Sequence, residues 1–454
     1  MSNNSSAPRA DNYANLRAVV VGLGKTGYSV ARYLLAQGAQ VCVTDSRAAP
    51  PELPRLRALA SGVLVRTGEL DASLLETAEL VVVSPGVALA GPFFAAARAR
   101  GLAIVGDVEL FARSARAPVV GITGTNGKST VTTLVAQMAA RAGLRIKAGG
   151  NLGLPALDLL DAAAELYVLE LSSFQLETTA SLALKAATVL NVTPDHMDRY
   201  ARLEDYAAAK ARIFARCDTA VINLDDPLVA AMVGPAQRAL SFSLRAGVAA
   251  DYALTCDEHG GWWLACRGER LLRLAELKIA GLHNAANALA ALALGEALEL
   301  PRAQMLAELR EFPGLAHRTQ WVADINGVRY VNDSKGTNVG ATLAAVSGMP
   351  GPLLLIAGGD GKGQEFAPLR AAIAGKVRRV FLLGRDARAL GAALAGVCDC
   401  DYCDSLEAAV AAAARAAQPG DTVLLSPACA SLDMFRDYAH RGAAFTAAVR
   451  SLAA

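Results

Sequence analysis

Short apolar, β-rich runs alternate along the chain with Ala/Leu-rich stretches of helical period, and glycine stands at many of the changeovers. The first series opens with Arg17-Ala-Val-Val-Val-Gly22 and continues with strand patterns at 40–44, 80–84 and 103–105 and a helix at 28–37. That rhythm predicts a parallel, Rossmann-like unit ending near Gly106. A second series opens with Pro118-Val-Val-Gly-Ile-Thr123, with strands at 166–171, 187–192 and 219–223 and a helix at 131–142. Beyond Ala239 it becomes β-rich, at 252–255 and 262–266, before a long Ala/Leu helix at 285–300. The break Phe312-Pro313-Gly314 introduces a third series, with strands at 353–357, 380–383 and 422–426.

Composition narrows the class of partner. A chain of 454 residues, 53% of them apolar, can give several domains a core each. Its 44 basic and 42 acidic residues nearly cancel, which argues against a nucleic acid or an anionic membrane and for a small molecule. Residues 1–15 are polar and lack a secretory core, and the charge-free stretch 338–359 is broken by Gly348, Pro350, Gly351 and Pro352. No membrane insertion is expected, and the cytoplasm is the expected compartment. Eight cysteines, most of them isolated among apolar residues, fit reduced, packed thiols. Cys398, Cys400 and Cys403 bring three thiols within six residues, but without the paired C-x-x-C spacing of zinc sites, so 397–402 is expected to be a strand.

The chemistry is concentrated in Gly121-Ile-Thr-Gly-Thr-Asn-Gly-Lys-Ser-Thr130, between a predicted strand and a predicted helix. Glycines 121, 124 and 127 would let backbone N–H groups, with those of Thr125, Asn126 and Thr130, face a polyphosphate; Lys128 would reach its outer phosphates and the Ser129 hydroxyl would ligate Mg²⁺. The strict G-x-x-x-x-G-K-[ST] pattern would need glycine at Ile122, which weakens an ordinary GTPase or kinase assignment. The expected fold class is therefore α/β with three domains. Residues 1–106 form an N-terminal Rossmann-like domain, 107–314 a central P-loop ATPase-like parallel sheet with an extra β-rich part, and 315–454 a C-terminal Rossmann-like domain.

Gly22-Leu-Gly24-Lys-Thr26-Gly27 matches G-x-G-x-x-G, and Asp45 ends the next strand pattern. Alone it leaves open NAD, the diphosphate of a UDP-sugar, or a tight helix–sheet turn that binds nothing. Glu170 at a strand end, His196 in Asn-Val-Thr-Pro-Asp-His and Lys210 in Ala-Ala-Ala-Lys form a third group at the edge where the phosphate loop lies. Their spacing fits magnesium ligation, and equally a hydrogen-bonded histidine and a solvated lysine.

Taken together, Gly121–Thr130, Leu169–Glu177 (LELSSFQLE), Asn191–Tyr200 (NVTPDHMDRY), Gly281–Asn287, Leu315–Arg318, Asn332–Asn338 (NDSKGTN), Gly358–Lys362 and Leu424–Asp433 (LLSPACASLD) resemble the Mur ligases. The resemblance covers nearly everything after residue 16. The Ser-Ser-Phe-Gln-Leu-Glu and Ser-Pro-Ala-Cys-Ala-Ser stretches resemble the branch that adds D-glutamate, and the Asp-Asn-Pro-Arg motif of the diaminopimelate-adding branch is absent. Folylpolyglutamate synthases share the loop but begin close to it, whereas a whole domain precedes it here.

The resemblance implies an ATP-dependent amide-bond-forming ligase that adds D-glutamate to UDP-N-acetylmuramoyl-L-alanine through an acyl phosphate, acting as a monomer. It implies two Mg²⁺ ions, one held by Ser129 and Glu170, the other by His196 and a carbamylated Lys210, with Lys128, His196 and Lys210 in catalytic roles. ATP would lie against the loop and Asn287, Arg318 and Asp333. The UDP-substrate would lie against Gly24, Thr26, Asp45, Ser46, Arg47, Gly86, Asn151 and His196, and D-glutamate against Thr337, Lys362, Ser431 and Tyr438. Ser46 and Gly336 sit within motifs where family members often differ, and Tyr438 matches a position that closes over the D-glutamate side chain as an aromatic.

Overall fold

The computed structural model describes residues 13–234, 237–279, 281–349 and 351–452, and their strands form three sheets. The first has the spatial order Leu64–Thr67, Gln40–Asp45, Arg17–Val21, Leu80–Val83, Ala103–Val105, all parallel. Chain order reverses between Arg17–Val21 and Leu80–Val83. The loops leaving those two strand ends diverge and open a crevice at the carboxyl edge.

The central sheet has nine strands, in the order Glu269–Arg273, Trp262–Cys266, Tyr252–Cys256, Ala239–Ser243, Cys217–Asn223, Leu184–Val189, Val119–Thr123, Leu166–Glu170, Ile146–Gly150. The last seven run parallel, and Trp262–Cys266 and Glu269–Arg273 close one edge as an antiparallel hairpin, which is the β-rich extension. Val119–Thr123 and Leu166–Glu170 are buried along their whole length, as expected of parallel strands covered on both faces. The third sheet runs Gln320–Ile325, Val328–Asn332, Thr422–Leu425, Leu353–Gly358, Val377–Leu383, Asp399–Tyr402 and is parallel apart from its first pair. The mixed α/β class with three parallel sheets is thus as expected.

Differences from the expected elements are local. The strand expected at 187–192 is Leu184–Val189, because the chain from Leu190 onward already serves the site: the Asn191 carbonyl accepts from the Thr125 N–H at 2.9 Å. The helices expected from 28, 131 and 285 begin at Lys25, Lys128 and Leu282, three residues earlier each. The strands Leu64–Thr67, Ile146–Gly150, Gln320–Ile325 and Val328–Asn332 carry too little apolar alternation to be seen. Cys398 and Cys400 pack on the core of the third sheet, and burial pushes the Cys398 thiol up to about 11.

One apolar core runs unbroken from the first domain into the central one. Tyr13, Leu34, Val82, Phe111, Tyr167, Leu169 and Ile213 belong to the same cluster, and the Phe111 and Tyr167 rings meet edge to face at 5.0 Å. The two buried clusters of the third sheet draw only on residues beyond 321. Each large apolar side chain in a shared core contributes about 1.5–3 kcal/mol, whereas the polar contacts that join the third domain to the rest contribute about 1 kcal/mol each. The first two domains therefore share one core, whereas the third keeps cores of its own. Among the described residues no helix is long and apolar enough to cross a membrane.

Candidate functional site

Helix Lys128–Arg141 starts directly behind strand Val119–Thr123, so its first N–H groups point out of the carboxyl edge of the sheet. Gly127 caps it at φ +86°, and a Cβ there would collide with Asn287 Oδ1, so both the dihedral and the space demand glycine. Gly124, at φ +146°, lies against the backbone of Leu190 and Asn191. The Asn191 side chain clamps the loop, with Oδ1 accepting from the Asn126 N–H at 2.8 Å and Nδ2 donating to the Asn126 carbonyl at 3.0 Å. Gly121 stands apart from this cradle. It is paired on both sides within the sheet and its missing Cβ makes room for Leu184 and Ile213, so its smallness serves packing rather than phosphate contact.

Ser129 Oγ donates to Glu170 Oε2 at 2.5 Å and accepts from Arg318 at 2.6 Å, and Asn151 Nδ2 donates to Glu170 Oε1 at 2.6 Å. Arg318, Ser129, Glu170 and Asn151, from four separate stretches, thus form one hydrogen-bonded chain. Lys128 Nζ curls back to the carbonyls of Gly124 and Thr125, at 2.9 and 2.8 Å. Lys210, buried, donates to the same Gly124 carbonyl at 2.9 Å and lies 4.3 Å over the Tyr206 ring. Burial, reinforced by Lys128, drives the Lys210 amine far below its ordinary pKa. The expected solvated surface lysine is therefore excluded. Burial likewise lowers the His196 imidazole, leaving it neutral at pH 7 and able to offer a nitrogen lone pair.

In the first domain, Gly24, Thr26, Asp45, Ser46, Arg47 and Gly86 line the crevice, and Asn151 forms its far wall. The cavity measures about 660 Å³. Asp45 is fully engaged there: it accepts from the Leu23 N–H at 2.6 Å and from the Arg47 guanidinium at 2.9 and 2.6 Å. It therefore fixes the glycine turn and aims Arg47 instead of presenting a free carboxylate. His196 does not line this crevice; its ring packs against Phe174 at 4.9 Å.

A second cavity, of about 290 Å³, lies between the central and third domains, and Asn126, Gly127, Thr130, Asn287, Arg318 and Asp333 all line it. Burial raises the Asp333 carboxyl to about 6, and Ser426 Oγ donates to it at 2.8 Å. Lys335, not foreseen from sequence, lines the same cavity, and burial lowers its amine to about 8. It lies 4.2 Å over the Tyr438 ring, so Tyr438 adjoins a residue of this cavity.

Thr337, Lys362 and Ser431 are brought together by loops. Asp360 and Ala430 exchange backbone hydrogen bonds at 3.0 and 2.8 Å, and Gln364 Oε1 accepts from the Val339 N–H at 3.0 Å. Arg441, also unforeseen, is buried and donates to the Ser334 and Cys429 carbonyls at 2.8 and 3.1 Å, tying the two loops to one helix. The sequence cue was one of two arginines in an Ala-rich helix, indistinguishable from a solvated one.

Fold and site define the class: a three-domain α/β protein with a phosphate-binding loop at its domain junction. Residues 16–106 match the family of the Mur ligase MurD-like N-terminal domain, 122–295 the Mur ligase middle domain and 317–429 the Mur ligase glutamate ligase domain. The UDP-N-acetylmuramoylalanine–D-glutamate ligase of Nitrosococcus oceani is 53% identical over 438 residues, 96% of each chain. Its counterpart in Methylobacillus flagellatus is 54% identical over 441 residues, 96% of this chain and 97% of that one. Among solved structures, the UDP-N-acetylmuramate-alanine ligase of Thermotoga maritima matches with a TM-score of 0.61 at 19% identity, over 96% of this chain and all of that one. At that identity it supports the fold alone. The chain belongs to the Mur ligase family.

Proposed function

We propose that this protein joins D-glutamate to the alanyl carboxylate of UDP-N-acetylmuramoyl-L-alanine at the expense of ATP, as a single chain in the cytoplasm, with domain divisions near Gly106 and Gly314. The observation that carries this reading is the position of Asn151. It lines the first-domain crevice and also donates to Glu170, which is itself linked to Ser129 and Arg318 at the phosphate loop. A UDP-linked substrate lying past Asn151 delivers its carboxylate to the end of the loop.

The donor set fits magnesium. Ser129 and Glu170 offer hard oxygens within hydrogen-bonding distance of each other. His196 and a carbamylated Lys210 would hold a second ion. When bound, the ions neutralise the approach of a carboxylate to a triphosphate. The chain's own part is to place and balance charge. Lys128 neutralises the transferred phosphoryl group, Arg318 reaches across from the third domain, and the substrate carboxylate oxygen attacks the γ-phosphorus with ADP leaving. The D-glutamate amine, held on the third domain by Lys362, Thr337 and Ser431, then attacks the acyl carbon, forming the amide and releasing phosphate and a proton. Asp333, Asn287 and Lys335 hold the nucleotide.

The test is phosphate release from ATP with UDP-N-acetylmuramoyl-L-alanine and a panel of D- and L-amino acids. Release should depend on D-glutamate; a preference for L-lysine, diaminopimelate or L-alanine would defeat the reading. A second expectation follows from Gly127. An added methyl meets Asn287, and the left-handed backbone disfavours it by about 1–2 kcal/mol. Gly127→Ala should raise the KM for ATP roughly tenfold while leaving the KM for the UDP-substrate unchanged; equal effects on both would show general unfolding instead.

A further inference from the structure

Asp195 is used by neither the phosphate loop nor the proposed metal ligation. It is buried, its Oδ1 accepting from Lys362 Nζ at 3.1 Å and from the His196 N–H at 3.0 Å, and its Oδ2 from Asn338 Nδ2 at 3.1 Å. Asp195 and the Lys362 ammonium form an ion pair across the junction of the central and third domains. Two of these three donors belong to the third domain, on the loops that carry the side chains assigned to D-glutamate.

D-Glutamate brings two carboxylates and one ammonium. Lys362, Thr337 and Ser431 answer the carboxylates, and none of them answers the ammonium. Around it stand Lys128, Lys335 and Lys362, which would repel it. Glu170 is already shared between Ser129 and Asn151. Resting on the D-glutamate reading above, we propose that Asp195 is the positioning residue for the incoming amine: the D-glutamate ammonium takes the place of the Lys362 ammonium on Asp195, while Lys362 turns to a D-glutamate carboxylate. The exchange turns one ion pair into two, and the second D-glutamate carboxylate falls to the neutral Thr337 and Ser431 hydroxyls. It also places the amine beside His196, at the junction where the acyl phosphate forms.

The experiment pairs Asp195→Asn with glutarate, which has both carboxylates and no amine. In the variant the KM for D-glutamate should rise by about tenfold to a hundredfold, the worth of a hydrogen bond to a charged group. The KM values for ATP and UDP-substrate should stay within twofold, and glutarate should inhibit at least as strongly as it inhibits the wild type. Asp195→Glu, which keeps the charge, should recover part of the D-glutamate affinity and guards against a folding defect in the first variant. An unchanged KM for D-glutamate overturns the proposal, as does equal weakening of D-glutamate and glutarate, which would mean that Asp195 only orients Lys362. A wild-type enzyme that releases no phosphate with D-glutamate would instead defeat the functional reading, so the two failures are distinct.

Discussion

Lys128→Ala should lower kcat by two to three orders of magnitude and leave affinity for the UDP-substrate within a few-fold. The ammonium sits over the loop with two carbonyl acceptors, at 2.9 and 2.8 Å, so one N–H remains for phosphate. Burial lowers its pKa while Glu170 and Asp195 oppose the shift, which ties its charge to the carboxylates of the same junction. The phosphoryl group in flight gains more from that charge than bound ATP does, so the loss falls on kcat. Removing one such donor typically costs about 2.7–4 kcal/mol of transition-state stabilisation. None of the crevice-lining side chains Thr26, Asp45, Arg47 and Asn151 is held by Lys128. Steady-state kinetics with calorimetry on the UDP-substrate separates the two quantities, and near-normal turnover would remove Lys128 from the chemistry.

What the sequence makes legible follows from where binding groups lie. Strands such as Leu80–Val83 and Leu353–Gly358 are buried end to end and read as unbroken apolar runs. Helix starts are misplaced by a turn, and for one reason. The first turns Lys25-Thr-Gly27, Lys128-Ser-Thr130 and Leu282-His-Asn284 are largely polar because helix N-termini here face cavities, so apolar periodicity begins only after them. The motifs fill that gap in the first two cases. Asp195 and Arg441 show what no pattern reveals. Each becomes significant only when residues more than a hundred positions away fold against it: Lys362 and Asn338 on Asp195, Ser334 on Arg441. Asp45 shows the converse, since the resemblance set it against the UDP-substrate and the fold binds both its oxygens to Leu23 and Arg47.

Lys210→Ala should be nearly inactive and should regain activity in millimolar-scale formate or acetate. As an ammonium, Lys210 would stand beside Lys128 and repel magnesium, so its removal would do little harm. As an amine it is already prepared for another role. Burial and the neighbouring Lys128 push its pKa well below the ordinary amine range, which favours the neutral form, and a neutral amine is what adds to CO₂ to form a carbamate, with one proton released. The product is an anionic oxygen donor suited to a hard cation, and it would compensate the positive charge of Lys128 and Lys362. The competing view is a brace, in which Nζ only supports the Gly124 carbonyl at 2.9 Å and packs on Tyr206. The two views separate cleanly. A missing brace lowers thermal stability and is indifferent to added acid, because a small carboxylate cannot donate a hydrogen bond to a carbonyl. A missing carbamate leaves a cavity of the right charge for formate, so activity should rise with formate concentration and saturate, while the same salt leaves Lys128→Ala inactive. Full activity of Lys210→Ala without added acid would return the lysine to a structural role, and an inactive variant that no small acid rescues would favour the brace.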